Sequence, residues 1–105
     1  MTTQLYAKDG HECLMFHDLV QDDSQAVQSN QFIICHKDHM VVIDPGGMMT
    51  YNAIFLRRMQ FFPHSRLDYI MASHADPDVV GSLNRWLVQT GCKLVINYQD
   101  RKSVV

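Results

Sequence analysis

Leu67-Asp68-Tyr69-Ile70-Met71-Ala72-Ser73-His74-Ala75-Asp76-Pro77-Asp78 is the stretch on which the fold turns. Leu67 to Ala72 is an apolar run that reads as a buried strand, and a helical pattern starts near Val79. Between them, one imidazole and two carboxylates alternate in the loop at the strand's carboxyl end. In α/β proteins, ligands and catalytic groups collect at such ends. If the loop stays extended, residues i, i+2 and i+4 project to one side. Imidazole with carboxylate is a ligand set for zinc or non-haem iron, so His74, Asp76 and Asp78 are candidate metal ligands. Taken alone, the same residues serve equally well as a helix cap. Asp76 or Asp78 would then sit at the positive N-terminus and His74 would be a surface residue.

Working outward, Met40 to Ile43 forms a strand whose run Val41-Val42-Ile43 suits cover on both faces. Asp44-Pro45-Gly46-Gly47 breaks the chain sharply, because proline fixes φ and glycine permits conformations closed to other residues. The spacing then predicts an amphipathic helix from Tyr51 to Phe61, with Ile54, Phe55, Met59 and Phe62 near one face and Pro63 ending it. Tyr51, Phe55, Phe61 and Phe62 are all expected on its core side. A second helix is expected from Val79 to Gln89, with Val80, Leu83, Trp86 and Leu87 apolar, and Thr90-Gly91 closing it. Lys93 to Ile96 begins another strand. Upstream, Gln4 to Ala7 and Cys13 to Leu19 read as strands, the latter with Cys13, Met15 and Phe16 inward. Gln21 to Ser29 reads as a loop, and Gln31 to Cys35 as a strand joined to Met40 by the hairpin His36-Lys37-Asp38-His39. The order is an antiparallel β-meander followed by β-α-β-α-β. That is an α/β (α+β) layered sheet with helices on one face.

The chain has 105 residues, 47% hydrophobic and 19% charged, with a formal net charge of -2. These values suit one small soluble domain and give no electrostatic case for nucleic acid. No apolar run approaches the ~20 residues that span a bilayer, and no signal peptide is apparent. No membrane partner is therefore expected, and the location is expected to be cytoplasmic. Cys13, Cys35 and Cys92 form no Cys-x-x-Cys pair and read as buried reduced thiols. His36 and His39 flank a turn and read as solvated. His11, His17 and His64 lie outside any ligand spacing. The seven methionines read as core filler and an initiator.

A strand, Asp44-Pro45-Gly46-Gly47, a helix, a strand and then His74-x-Asp76-x-Asp78 resemble the N-terminal half of the metallo-β-lactamase fold, an αββα sandwich. The hydrolases of that superfamily carry His-x-His-x-Asp-His, and its di-iron branch carries His-x-Glu-x-Asp. Asp76 is an acid, so the likeness is to the oxygen-binding, flavodiiron-like branch. Gln28-Ser29-Asn30-Gln31-Phe32 and Ser73 through Val80 share in it. The resemblance implies that His74 and Asp76 bind a first iron and Asp78 a second. Asp44 would orient ligands without supplying one. Val79 stands where the hydrolases have their last histidine and cannot coordinate, which weighs against the alternative of a zinc hydrolase. A carboxylate at the middle position favours iron. The implied parent binds two irons and O2 or NO, as a reductase or a sensor. FMN would enter only through a flavodoxin domain that these residues do not include. A homodimer and a separate electron-donor protein are compatible partners. A non-catalytic interaction module is the remaining reading.

The family's remaining ligands come from a second half that this chain does not contain, so the chain itself is expected to be inactive. Asp100-Arg101-Lys102-Ser103-Val104-Val105 resembles a translated sequencing adapter. The expected organisation is therefore a truncated domain over 1–99 and an artefactual tail over 100–105.

Overall fold

The structure, a computed structural model, describes residues 2–17, 30–73 and 81–96. Six strands form one mixed sheet in sequence order: β1 (Thr2–Lys8), β2 (His11–Phe16), β3 (Gln31–His36), β4 (His39–Ile43), β5 (Arg66–Ala72) and β6 (Lys93–Ile96). The first four pair antiparallel, and β4, β5 and β6 run parallel. Parallel neighbours need crossovers, and helices α1 (Met48–Phe61) and α2 (Leu83–Thr90) supply them. The expected meander and β-α-β-α-β order are both present. The expected loop over Gln21 to Ser29 and the proposed tail lie outside the described residues.

Local chemistry explains the element ends. Asp9 and Gly10 both have positive φ, 57° and 82°, as a two-residue hairpin between β1 and β2 requires. Helix α1 starts three residues before the expected Tyr51. The Thr50 hydroxyl donates to the Pro45 and Gly47 carbonyls, 2.9 Å each, and so draws Met48 and Met49 into the first turn. Pro63 follows its end. Gly91, at φ 69°, caps α2 in the left-handed region and donates its N–H to the Leu87 carbonyl at 3.0 Å.

The core lies between the helices and one face of the sheet. Phe16, Ile33, Met40, Val42 and Ile70 rise from the strands to meet Tyr51 and Ile54 of α1 and Leu83 and Trp86 of α2. Four expectations need correction. In β2 it is Leu14 and Phe16 that face the helices; Cys13 and Met15 take the opposite face, because side chains alternate along a strand. On α1, Tyr51 and Ile54 are buried and Phe62 follows them, whereas Phe55, Met59 and Phe61 are exposed. Of the three thiols only Cys35 is buried; all three are free, and Cys13 and Cys92 are half-buried. The methionines divide likewise: Met40 is core, while Met48, Met59 and Met71 are exposed. No helix among the described residues is long and apolar enough to cross a membrane.

Candidate metal centre

The loop bearing His74, Asp76 and Asp78 lies outside the described residues, but both of its anchorages are described. They converge on one turn. Strands β4 and β5 are parallel neighbours, with Ile43 opposite Met71, so Asp44 and Ser73 leave the sheet side by side at its carboxyl end. The Asp44 N–H donates to the Met71 carbonyl at 2.8 Å. Its side chain then grips Ser73 twice. Oδ1 accepts from the Ser73 N–H at 2.7 Å, and Oδ2 accepts from the Ser73 hydroxyl at 2.8 Å. Asp44 holds φ at 53°, a left-handed conformation uncommon outside glycine that aspartate tolerates better than most residues.

Two residues further along the turn, the Gly46 carbonyl holds the other end. It accepts from the Ser82 N–H at 3.1 Å and from the Ser82 hydroxyl at 2.7 Å. Ser82 is fully buried, directly before α2. The Asp44-Pro45-Gly46 turn therefore binds both Ser73 and Ser82. Gly46 itself admits no side chain. Its φ is 82°, and a Cβ there would overlap the Thr50 hydroxyl and lie 3.3 Å from Gln31 Nε2. Gln31, Thr50 and Ser82 thus form a buried polar support beneath the turn.

Of the four residues singled out in the sequence, Asp44 is placed at the mouth of the loop and the other three fall beyond the described residues. Ser73 and Ser82 went unnoticed in the sequence as site residues. Ser73 had a signal, since it ends the strand just before His74. Ser82 had none, since it sits inside the pattern expected to be helical. Among the described residues, no group of three or more His, Cys, Asp or Glu is arranged to hold a metal ion.

A second polar cluster occupies the opposite end of the sheet. His39 Nδ1 donates to Asp68 Oδ2 at 2.6 Å, and Arg66 Nε to Asp68 Oδ1 at 2.7 Å. Partial loss of hydration opposes ionisation of Asp68, but the hydrogen bonds from His39 and Arg66 outweigh it and hold the carboxyl below its usual range.

The family model described as ODP family beta lactamase matches residues 27–104. The solved structure of the peroxy di-iron species of the chemotaxis sensor ODP superposes with a TM-score of 0.81 at 27% identity, covering 99% of this chain and 41% of that one. The apo chemotaxis sensor ODP from T. denticola superposes at 0.67 with 26% identity, covering 90% of this chain and 36% of that one. The mono-zinc metallo-β-lactamase FIM-1 from Pseudomonas aeruginosa gives 0.65 at 16% identity, over 98% of this chain and 45% of that one, which is a likeness of fold. This chain spans less than half the length of these solved relatives. No curated protein sequence matches it.

Proposed function

The chain belongs to the ODP family of beta-lactamase-fold proteins, and from that premise we propose that it is the N-terminal part of a di-iron domain that binds O2 or NO as a sensor. The observation that carries the reading is the superposition of nearly the whole chain on a di-iron chemotaxis sensor at 27% identity. His74 and Asp76 would hold one iron and Asp78 the other. The donor set suits the metal, since one imidazole and two carboxylates are harder than the imidazole-rich set of a zinc hydrolase. Two bound irons with open positions would supply a place for a diatomic gas to bind and share electrons.

The chain's own contribution is positioning. Asp44 fixes the backbone and hydroxyl of Ser73, and so the direction in which the chain enters His74. The Gly46 carbonyl fixes Ser82, and so where the chain leaves Asp78 for the second helix. The remaining ligands would come from the rest of the domain. A cytoplasmic location fits this reading, as does a separate electron donor if the domain is a reductase.

The test uses a longer chain that carries these residues together with the rest of the family domain. Metal analysis is expected to find two irons per chain, with an absorption change on exposure to O2, and His74→Ala is expected to abolish both. Two zincs with esterase or thioesterase activity would favour the zinc hydrolase. Metal content unchanged by His74→Ala would leave only the interaction module.

A further inference from the structure

The end of the sheet remote from Asp44 carries an arrangement that the proposed function does not use. His11 opens β2 and His36 closes β3, and the two are paired directly across the ladder. Both imidazoles are exposed, on the face away from the helices. Their Nδ1 atoms are 2.9 Å apart and their ring centroids 4.0 Å apart. The backbone beneath them is held. His11 follows the Asp9-Gly10 turn and His36 precedes the Lys37 turn, and the Lys37 N–H donates to the Gly10 carbonyl at 3.0 Å. His39 lies opposite His36 on β4.

We propose that His11 and His36 form a two-imidazole chelate for a divalent transition-metal ion of square-planar or tetragonal preference, Cu2+ above all. The pairing brings both nitrogens within reach of one ion. With metal–imidazole bonds of about 2.0–2.1 Å, two ligands at a right angle stand about 2.9 Å apart, and two ligands of a tetrahedron about 3.3 Å. The hydrogen-bonded Nδ1 atoms stand 2.9 Å apart, so a small rotation of the rings reaches a chelating separation. Cu2+ leads the affinity order for nitrogen sites and takes nitrogen ligands in square-planar or tetragonal geometry. Binding needs no proton release. The imidazole that now donates from Nδ1 moves its proton to Nε2 through solvent, and a rotation about χ2 turns both Nδ1 lone pairs toward the ion. Partial loss of hydration and the neighbouring His11, Lys37 and His39 hold His36 below the usual histidine pKa, so its neutral, ligating form is favoured. No third His, Cys, Asp or Glu among the described residues completes a closed cage, so water fills the other positions. The site is independent of the loop ligands. Asp44 lies five positions beyond His39 along β4 and its following turn, on the order of 17 Å at strand rise.

The experiment uses the full untagged chain carrying His74→Ala, which removes the loop imidazole, and the metal ions alone as probes. Cu2+ is expected to bind one per chain with an electron paramagnetic resonance signal split by two nitrogens, and more tightly than Zn2+. His11→Asn or His36→Asn is expected to weaken it by about tenfold or more, the scale on which metal sites respond to lost supporting groups. His64→Asn, at an exposed histidine elsewhere, is expected to leave it unchanged. Both rings of the pair are exposed, so circular dichroism should show the variants folded like the parent. Absence of Cu2+ binding, equal binding by the His11→Asn/His36→Asn double variant, or tighter binding of Zn2+ would overturn the proposal. Each of these outcomes leaves the iron content of the completed domain, and the reading built on it, untouched.

Discussion

Gly46 stands at the tightest point of the molecule, where conformation and space act together. A φ of 82° is costly for any residue with a Cβ, and here the Cβ would also overlap the Thr50 hydroxyl. Gly46→Ala is therefore expected to destabilise the fold by about 1–3 kcal/mol, read by urea denaturation. Asp44→Asn probes the same turn differently. An amide can keep both Ser73 contacts only by reversing one, its NH2 donating to the hydroxyl oxygen, so the charge of the carboxylate and the charge-assisted strength of the grip are lost. Iron affinity of the completed domain is expected to fall about 10–100-fold, as when supporting partners of metal ligands are removed, with secondary structure intact by circular dichroism. Asp68 offers a titration. Its folded pKa is lowered, so its contribution to stability is complete above the unfolded value of about 3.9 and disappears as pH falls through the folded value. Carboxyl NMR should find Asp68 titrating below that value, and Arg66→Ala should raise it; no change would remove Arg66 as a cause.

At the scale of elements, α2 is short, and its hold on the sheet rests on Leu83 and Trp86. Trp86 lies 4.5 Å from the Tyr51 ring of α1, and the Arg85 guanidinium caps that ring from 4.0 Å. Trp86→Ala is expected to cost about 3–5 kcal/mol in chemical denaturation. Trp86→Phe should cost clearly less, because it keeps a ring and discards an indole N–H that has no hydrogen-bond partner among the described residues. Equal losses in the two variants would mean that the ring packing is not what matters. Both helices and all six strands among the described residues can be located in the sequence, since Pro63, Gly91 and the apolar runs punctuate them. Facing was harder to read. Met15 and Phe16 are both apolar, and composition cannot say which one looks toward the helices; only pairing with Phe32 and Gln31 settles it. The start of α1 was also hidden, because it depends on Thr50 reaching back to Pro45. The candidate ligands rest on residue types at a spacing and lie outside the described residues, whereas Asp44 could be read as the turn before them. Ser82 could not, since its role is a bond to Gly46 across 36 residues, and nothing local marks such a contact.

Across the whole molecule, helices cover one face of the sheet and no described element covers the other. On that face Ile34, Tyr69, Met71 and Val95 are 41%, 42%, 39% and 43% exposed. Phe32, Val41 and Ile43 lie among them, half-buried only by their neighbours. The run Val41-Val42-Ile43 thus reads as a strand made for cover on both sides, with cover present on one. Apolar surface left in water forgoes about 25 cal/mol per Å2, and contiguous patches of it promote association. The 105-residue chain is therefore expected to bind a hydrophobic dye and to self-associate with rising concentration in sedimentation velocity. Ile34→Lys with Met71→Lys should suppress both effects, since the two side chains point away from the helix-side core. If the proposed longer domain lays a second layer on this face, the same pair of lysines should instead destabilise it, because burying an unpaired ammonium is costly. That reversal of sign separates a face built for a partner layer from one merely rich in apolar residues. An unsubstituted chain that stays monomeric and dye-silent, or a double variant that is harmless in both settings, would remove the case for a missing layer.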